Sequence, residues 1–253
     1  MSTQLVKKII LFCLVLVFIP ATSIWAASVI TDPVLAKAIR VELKLSANKE
    51  VKAGDLQKLK SLYPENIKGK ITSLQGLEYA VNMQSLFLPG HSIKNIKPIS
   101  KMKKLTFLAL EGNQITDLTP LSGLSNLENL ILDGNKIKSL LPLINLHKLT
   151  DLIASNNQIA DLRPIQKLKL NWIILNGNKI QNLQPLKNHP TLEYLNLDDN
   201  LIQDIQVLKT LPYLKEVSLA NNPLNGLSQQ VIEELEDNGV IVNLEINDGS
   251  ELE

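Results

Sequence analysis

Apolar residues recur along this chain with a period of about 22 residues, far longer than the repeat of a helix or a strand. From Met83 to Asn222 the phrase L-x-x-L-x-L-x-x-N-x-I-x-x-L-x-P-L is repeated seven times. Its asparagine falls at Asn113, Asn135, Asn157, Asn178, Asn200 and Asn222, and His91 fills the same slot one repeat earlier. The leucines eight, five and three places before the slot, such as Leu105, Leu108 and Leu110, are expected to be buried. The last two alternate with period two, so they mark a short strand with its leucines pointing inward. An apolar residue two places after the slot, from Ile93 to Leu224, returns to the core. Pro98, Pro120, Pro142, Pro164 and Pro185 exclude a full helix from the next stretch and favour short 3₁₀ or extended pieces. Gly90, Gly112, Gly134 and Gly177 precede the slot, with Asn156, Asp199 and Asn221 elsewhere in that place. All are residue types that tolerate left-handed backbone where the chain leaves a strand.

A strict period of this kind predicts an α/β solenoid, a leucine-rich-repeat arc. Seven strands form a parallel β-sheet on its concave face, and short 3₁₀ or extended segments line its convex face. The slot asparagines read as structural, because a buried amide satisfies backbone groups of its own and the neighbouring coil. The ends of such a stack need covers. Asp32-Pro33 is an N-cap followed by a first-turn proline, opening a helix through Leu43, and a second short helix is expected from Asp55 to Leu62. At the other end Ser228 opens a helix to Glu236, Gly239 closes it, and Val240 to Ile246 alternates like a strand. The expected divisions are a signal peptide at 1–26, a helical N-terminal cap at 27–68, repeats at 69–227 and a C-terminal cap at 228–253.

Composition narrows the setting. Lys7 and Lys8 precede the unbroken apolar run Ile9 to Ile19, which Pro20 ends, and a small residue stands at Ala26. This reads as a cleaved secretory signal peptide, too short to span a bilayer, with an uncleaved anchor as the alternative. The expected location is therefore secreted, periplasmic or cell envelope. Cys13, the one cysteine, lies inside that segment, so the mature chain has no disulfide, cysteine nucleophile or cysteine-based zinc site. Removing residues 1–26 leaves one net negative charge, which points to neither nucleic acid nor an anionic membrane as partner.

These motifs resemble the bacterial internalin-type leucine-rich repeat. The resemblance rests on the 22-residue length, the phrase from Asn113 to Leu121, the cap opening Asp32 to Arg40 and the join Ile71 to Ala80. It covers nearly all of the mature chain. It implies a domain that grips other proteins, surface receptors among them, through the strand face. Internalin repeats are commonly followed by an immunoglobulin-like domain and a wall anchor, whereas about thirty residues follow Asn222 here.

The outward strand positions show where a partner would sit. Six places before the slot the residues are Ser85, Phe107, Asn129, Asp151, Trp172, Tyr194 and Glu216. Four places before it they are Phe87, Ala109, Ile131, Ile153, Ile174, Asn196 and Ser218. The candidate protein-binding residues are thus Phe87, Phe107, Ile131, Ile153, Trp172, Ile174 and Tyr194, with Glu111, Asp133 and Asp198 as an acidic edge. Strand preference alone favours aromatic and β-branched residues. Seven strands nevertheless make a face about 29 Å long, the scale of a recognition patch, and aromatic anchors are what such patches use. The acids read as solvated turn residues, with pairing to a basic rim on the partner or weak calcium binding as lesser alternatives.

No catalytic, cofactor or metal constellation stands out. His91, His147 and His189 lie at different points of the repeat; His91 substitutes for the first slot asparagine, and His189-Pro190 resembles a turn. The lysines from Lys94 to Lys104 are broken by core positions, as on a solvated surface, and the glycines fall one per repeat rather than in a phosphate loop. The expectation is a non-enzymatic, exported module that recognises a protein through its concave sheet. The alternative is a structural or assembly component of the cell envelope.

Overall fold

A computed structural model describes residues 28–64 and 67–245. The expected signal peptide lies outside them, as do residues 246–253 of the expected C-terminal cap. Nine short strands form one open parallel sheet in chain order. They are β1 (Ser61–Leu62), β2 (Ser85–Phe87), β3 (Phe107–Ala109), β4 (Asn129–Ile131), β5 (Asp151–Ile153), β6 (Trp172–Ile174), β7 (Tyr194–Asn196), β8 (Glu216–Ser218) and β9 (Ile241–Asn243). Equivalent residues of successive coils stand opposite each other, so Leu86, Leu108, Leu130, Leu152, Ile173, Leu195 and Val217 stack as one column. That column and its companions merge into a single core running from Ile30 to Val240. Each such side chain removed from water stabilises the stack by roughly 1.5–3 kcal/mol before entropy is counted.

The return side of each coil is a 3₁₀ turn. Five of these, Lys97–Lys101, Thr119–Leu121, Leu141–Leu143, Arg163–Ile165 and Gln184–Leu186, carry the expected proline in their first two residues. The residue before each slot has left-handed backbone, with φ between 52° at Asn156 and 68° at Gly177. At Gly177 the demand is also steric, since a Cβ there would lie 2.4 Å from Asn156 Oδ1.

The slot asparagines form a buried ladder. Asn157 Oδ1 accepts from Ile137 N–H of the preceding coil at 2.9 Å. Its Nδ2 donates to Leu132 O of that coil and to Ala154 O and Ser155 O of its own. Asn113, Asn135, Asn178, Asn200 and Asn222 repeat this arrangement. His91 begins the ladder as expected, its Nδ1 accepting from Ile71 N–H at 3.3 Å.

The caps differ in detail from the expectation. Helix α1 (Pro33–Glu42) is capped by Asp32, whose Oδ1 accepts from Val34 and Leu35 N–H. Its Oδ2 accepts from Thr72 N–H, Thr72 Oγ1 and Ser73 N–H, tying the cap to the first coil. The second helix, α2 (Ala53–Leu56), ends earlier than expected, and Ser61–Leu62 is instead the first strand, in register with Ser85–Leu86. Buried Leu56, Leu59 and Leu62 are spaced by three, which mimics a helical face. In this fold the same spacing belongs to a coil, as in Leu121, Leu124, Leu127 and Leu130. At the far end α3 (Ser228–Asp237) has no side-chain cap; Ser228 Oγ is engaged by Gln203 O and Asn225 Oδ1 instead. The strand after it, β9, extends the sheet in parallel beside β8.

Candidate functional site

The sheet presents two outward rows. One runs Ser61, Ser85, Phe107, Asn129, Asp151, Trp172, Tyr194, Glu216, Ile241, each opposite the next. The other holds Phe87, Ala109, Ile131, Ile153, Ile174, Asn196, Ser218 and Asn243. All seven apolar and aromatic candidates therefore lie on one face. Trp172 is 43% exposed, and Phe87, Phe107, Ile131, Ile153, Ile174 and Tyr194 are half-buried against their neighbours. Ala109 corrects one outward position: it is fully buried, its small side chain in register between Phe87 and Ile131.

The aromatic side chains pack on one another. Trp172 and Tyr194 have ring centroids 4.2 Å apart at 33°. Tyr63, just beyond β1, stacks on Phe87 at 5.9 Å. Sequence reasoning missed Tyr63 because it placed the preceding residues in a helix; its spacing from the buried leucines is the signal that finds it. Lys215 Nζ stands 5.9 Å above the Tyr194 ring and 2.5 Å from Glu193 Oε2. Two shallow hollows flank Trp172. One, of about 260 Å³, is lined by Phe107, Asn129, Ile131, Asp151, Ile153 and Trp172. The other, of about 200 Å³, lies between Trp172, Ile174, Tyr194, Asn196, Glu216 and Ser218.

The acidic edge is less solvated than expected. Asp198 is 8% exposed, and its Oδ1 accepts from Ala220 N–H and Ser218 Oγ, both at 2.7 Å. Asp133 Oδ1 accepts from Ser155 N–H in the same way, one coil to the next. Glu111 is half-buried, with one carboxylate oxygen enclosed and unpartnered. Among the described residues no group of three or more His, Cys, Asp or Glu is placed to hold a metal ion.

The histidines have separate roles. His147 is exposed. His91 is half-buried, and burial followed by the nearby Lys70 charge lowers its imidazole pKa. His189 is 2% exposed, and burial lowers its pKa from the ordinary 6.5. Rather than a turn residue, it occupies the core column of Met102, Leu124, Leu146, Leu168 and Leu211, with the same backbone bond three residues back. Neither ring nitrogen has a side-chain hydrogen-bond partner there.

This stack is a leucine-rich-repeat solenoid. No family profile and no curated protein sequence matches the chain. Among solved structures it is similar to internalin C2 of Listeria monocytogenes, at 29% identity and a TM-score of 0.74, over 86% of this chain and 95% of that one. It also resembles a leucine-rich-repeat protein of Leptospira interrogans, 21% identical with a TM-score of 0.59, over 77% of this chain and 57% of that one. A plant peptide hormone receptor solved in complex with RGF2 is 22% identical with a TM-score of 0.53, over 58% of this chain and 26% of that one. The last two likenesses speak to the fold alone.

Proposed function

We propose that the chain is an exported, non-enzymatic recognition module that binds a protein through its sheet face. The observation that carries this reading is the packed Trp172–Tyr194 pair, with Trp172 open to solvent between two hollows on a nine-stranded face about 38 Å long. An exposed tryptophan packed on a tyrosine and ringed by polar groups is how protein interfaces place their anchors. The likeness to internalin C2 supports the same reading. Export rests on the basic start, the apolar run Ile9 to Ile19 and the small residue at Ala26. Among the described residues no helix is long and apolar enough to cross a membrane.

The test is crosslinking capture with three proteins: wild type, Trp172→Ala/Tyr194→Ala, and Lys138→Ala, which alters an exposed residue off the sheet. The face reading expects a partner retained by wild type and Lys138→Ala and lost by the aromatic double variant. Equal capture by all three would overturn it. Fractionating the producing cells separates release into the medium from retention at the envelope, where a structural component would remain.

A further inference from the structure

The sheet face is strongly acidic although the chain as a whole is nearly neutral. On β2 to β8 and the residues flanking them stand Glu111, Glu128, Asp133, Asp151, Glu193 and Glu216, with buried Asp198 behind them. The one opposing charge there is Lys215, already paired with Glu193. Neutrality is restored elsewhere on the molecule, so the polarity belongs to this face.

The order of residues in one row is more specific than the net charge. Across β5, β6, β7 and β8 the row reads Asp151, Trp172, Tyr194, Glu216, each in register with the next. Two carboxylates thus bracket a packed, tilted aromatic pair, one on the wall of each hollow. Each is oriented by a neighbouring amide that leaves one oxygen without a partner among the described residues. Asn129 Nδ2 and Thr150 Oγ1 bond to Asp151 Oδ2, and Asn243 Nδ2 bonds to Glu216 Oε1. Three inter-strand gaps separate these carboxylates by about 14 Å. An extended peptide rises about 3.4 Å per residue and shows every second side chain to one face, so its residues i and i+4 span that distance.

We propose that the face recognises a cationic segment of a partner protein, in extended form, with two arginines or lysines four residues apart and an apolar residue midway. This deepens the recognition reading above and rests on it. The two cations meet Asp151 and Glu216, and the middle side chain lies on Trp172 and Tyr194. Guanidinium groups suit both halves of the site, since they pair with carboxylates in a fork and stack on aromatic rings. Lys215, paired with Glu193 and 5.9 Å above the Tyr194 ring, shows a cation already accommodated beside an aromatic and a carboxylate of this face. Opposite charges across the interface would select the partner and hasten its arrival.

The test uses the full chain carrying Trp25→Phe, so that Trp172 is its sole tryptophan. Its emission is followed while three acetylated peptide amides are added: Ser-Arg-Ser-Leu-Ser-Arg-Ser, the same sequence with glutamates for arginines, and one with the arginines two residues apart. The expected result is that the first binds at least about tenfold more tightly than either other, and that salt weakens it severalfold as the Debye length shrinks from about 10 Å at 0.1 M to about 3 Å at 1 M. Asp151→Asn/Glu216→Gln, which keeps the shapes and the amide contacts, should remove the preference; a thermal melt confirms that this variant folds. Equal binding of the peptides, a preference that survives the double variant, or no binding by any of them overturns the proposal. The face reading fails separately, if Trp172→Ala/Tyr194→Ala still captures the natural partner. A partner lost by the aromatic variant but held undiminished by Asp151→Asn/Glu216→Gln would sink the cation rule alone.

Discussion

The asparagine ladder and the outward row of the sheet cross the same coils, yet they behave oppositely. At the ladder every coil from Asn113 to Asn222 places the same residue in the same bonds. On the sheet the equivalent position changes from Phe107 to Asn129, Asp151, Trp172, Tyr194 and Glu216. A buried amide has one solution to the hydrogen-bonding demands of its turn, so repetition there reports architecture. A solvent-facing strand position has no such demand, so its sequence is open to serve a partner. Where the chain repeats itself it is building, and where it varies it is available for recognition.

Mutations at the two regions should therefore separate stability from binding. The largest stability loss is expected at the ladder. Asn157→Ala removes an acceptor for Ile137 N–H and a donor to three carbonyls, and should cost about 2–3 kcal/mol in chemical denaturation. An unchanged midpoint would remove the distinction between the regions.

Asp32→Ala should cost about 2 kcal/mol, because it removes both the α1 cap and the tie to Thr72 and Ser73. Burial alone would raise the Asp32 pKa, but the hydrogen bonds it accepts outweigh burial and hold it below the ordinary 3.8. Its contribution is then fully present above pH 3.8 and fades as the pH falls through the lowered value. Wild type and the variant should converge in melting temperature in strong acid.

A third change runs the other way. His189→Leu restores the residue type found at Leu124, Leu146, Leu168 and Leu211, and should stabilise the fold by roughly 1–2 kcal/mol. The folded His189 pKa lies below 6.5, so the unfolded chain gains its proton first as the pH drops. Wild-type stability should hold above about pH 6.5 and decline below it, and the variant should lose the His189 share of that decline. Melting curves at pH 7.5 and 5.0 measure both effects. Smallest of all is the stability effect of Trp172→Ala, expected below about 1 kcal/mol because the side chain is 43% exposed. A large destabilisation there would mean that the aromatic pair is part of the scaffold.

Much of the scaffold was legible in the sequence because its causes are local and periodic. The ladder, the left-handed positions before it and the proline-bearing turns each depend on one residue type in one place. The sheet's ends were harder to read. Leu56, Leu59 and Leu62 carry a spacing shared by helix and coil, and a 24-residue step from Leu62 to Leu86 hides the extra strand from a 22-residue search. Tyr63 was lost with it. His189 was misread because histidine and proline suggest a turn, whereas counting from Asn178 places it in a leucine column. The outward rows followed from alternation, but two features required coordinates. One is the burial of Ala109 between larger neighbours; the other is the withdrawal of Asp198 into bonds with the next coil. Both depend on contacts between residues more than twenty positions apart, where the pattern within one repeat is silent.

Side-chain oxidative footprinting of the captured complex tests most directly whether the sheet is the recognition surface. Binding is predicted to protect Trp172 and Tyr194 while Tyr79 and Tyr213, exposed away from the outward rows, label as they do in the free protein. Protection of Tyr213 or Tyr79 with Trp172 still fully reactive would place the partner elsewhere and contradict the account.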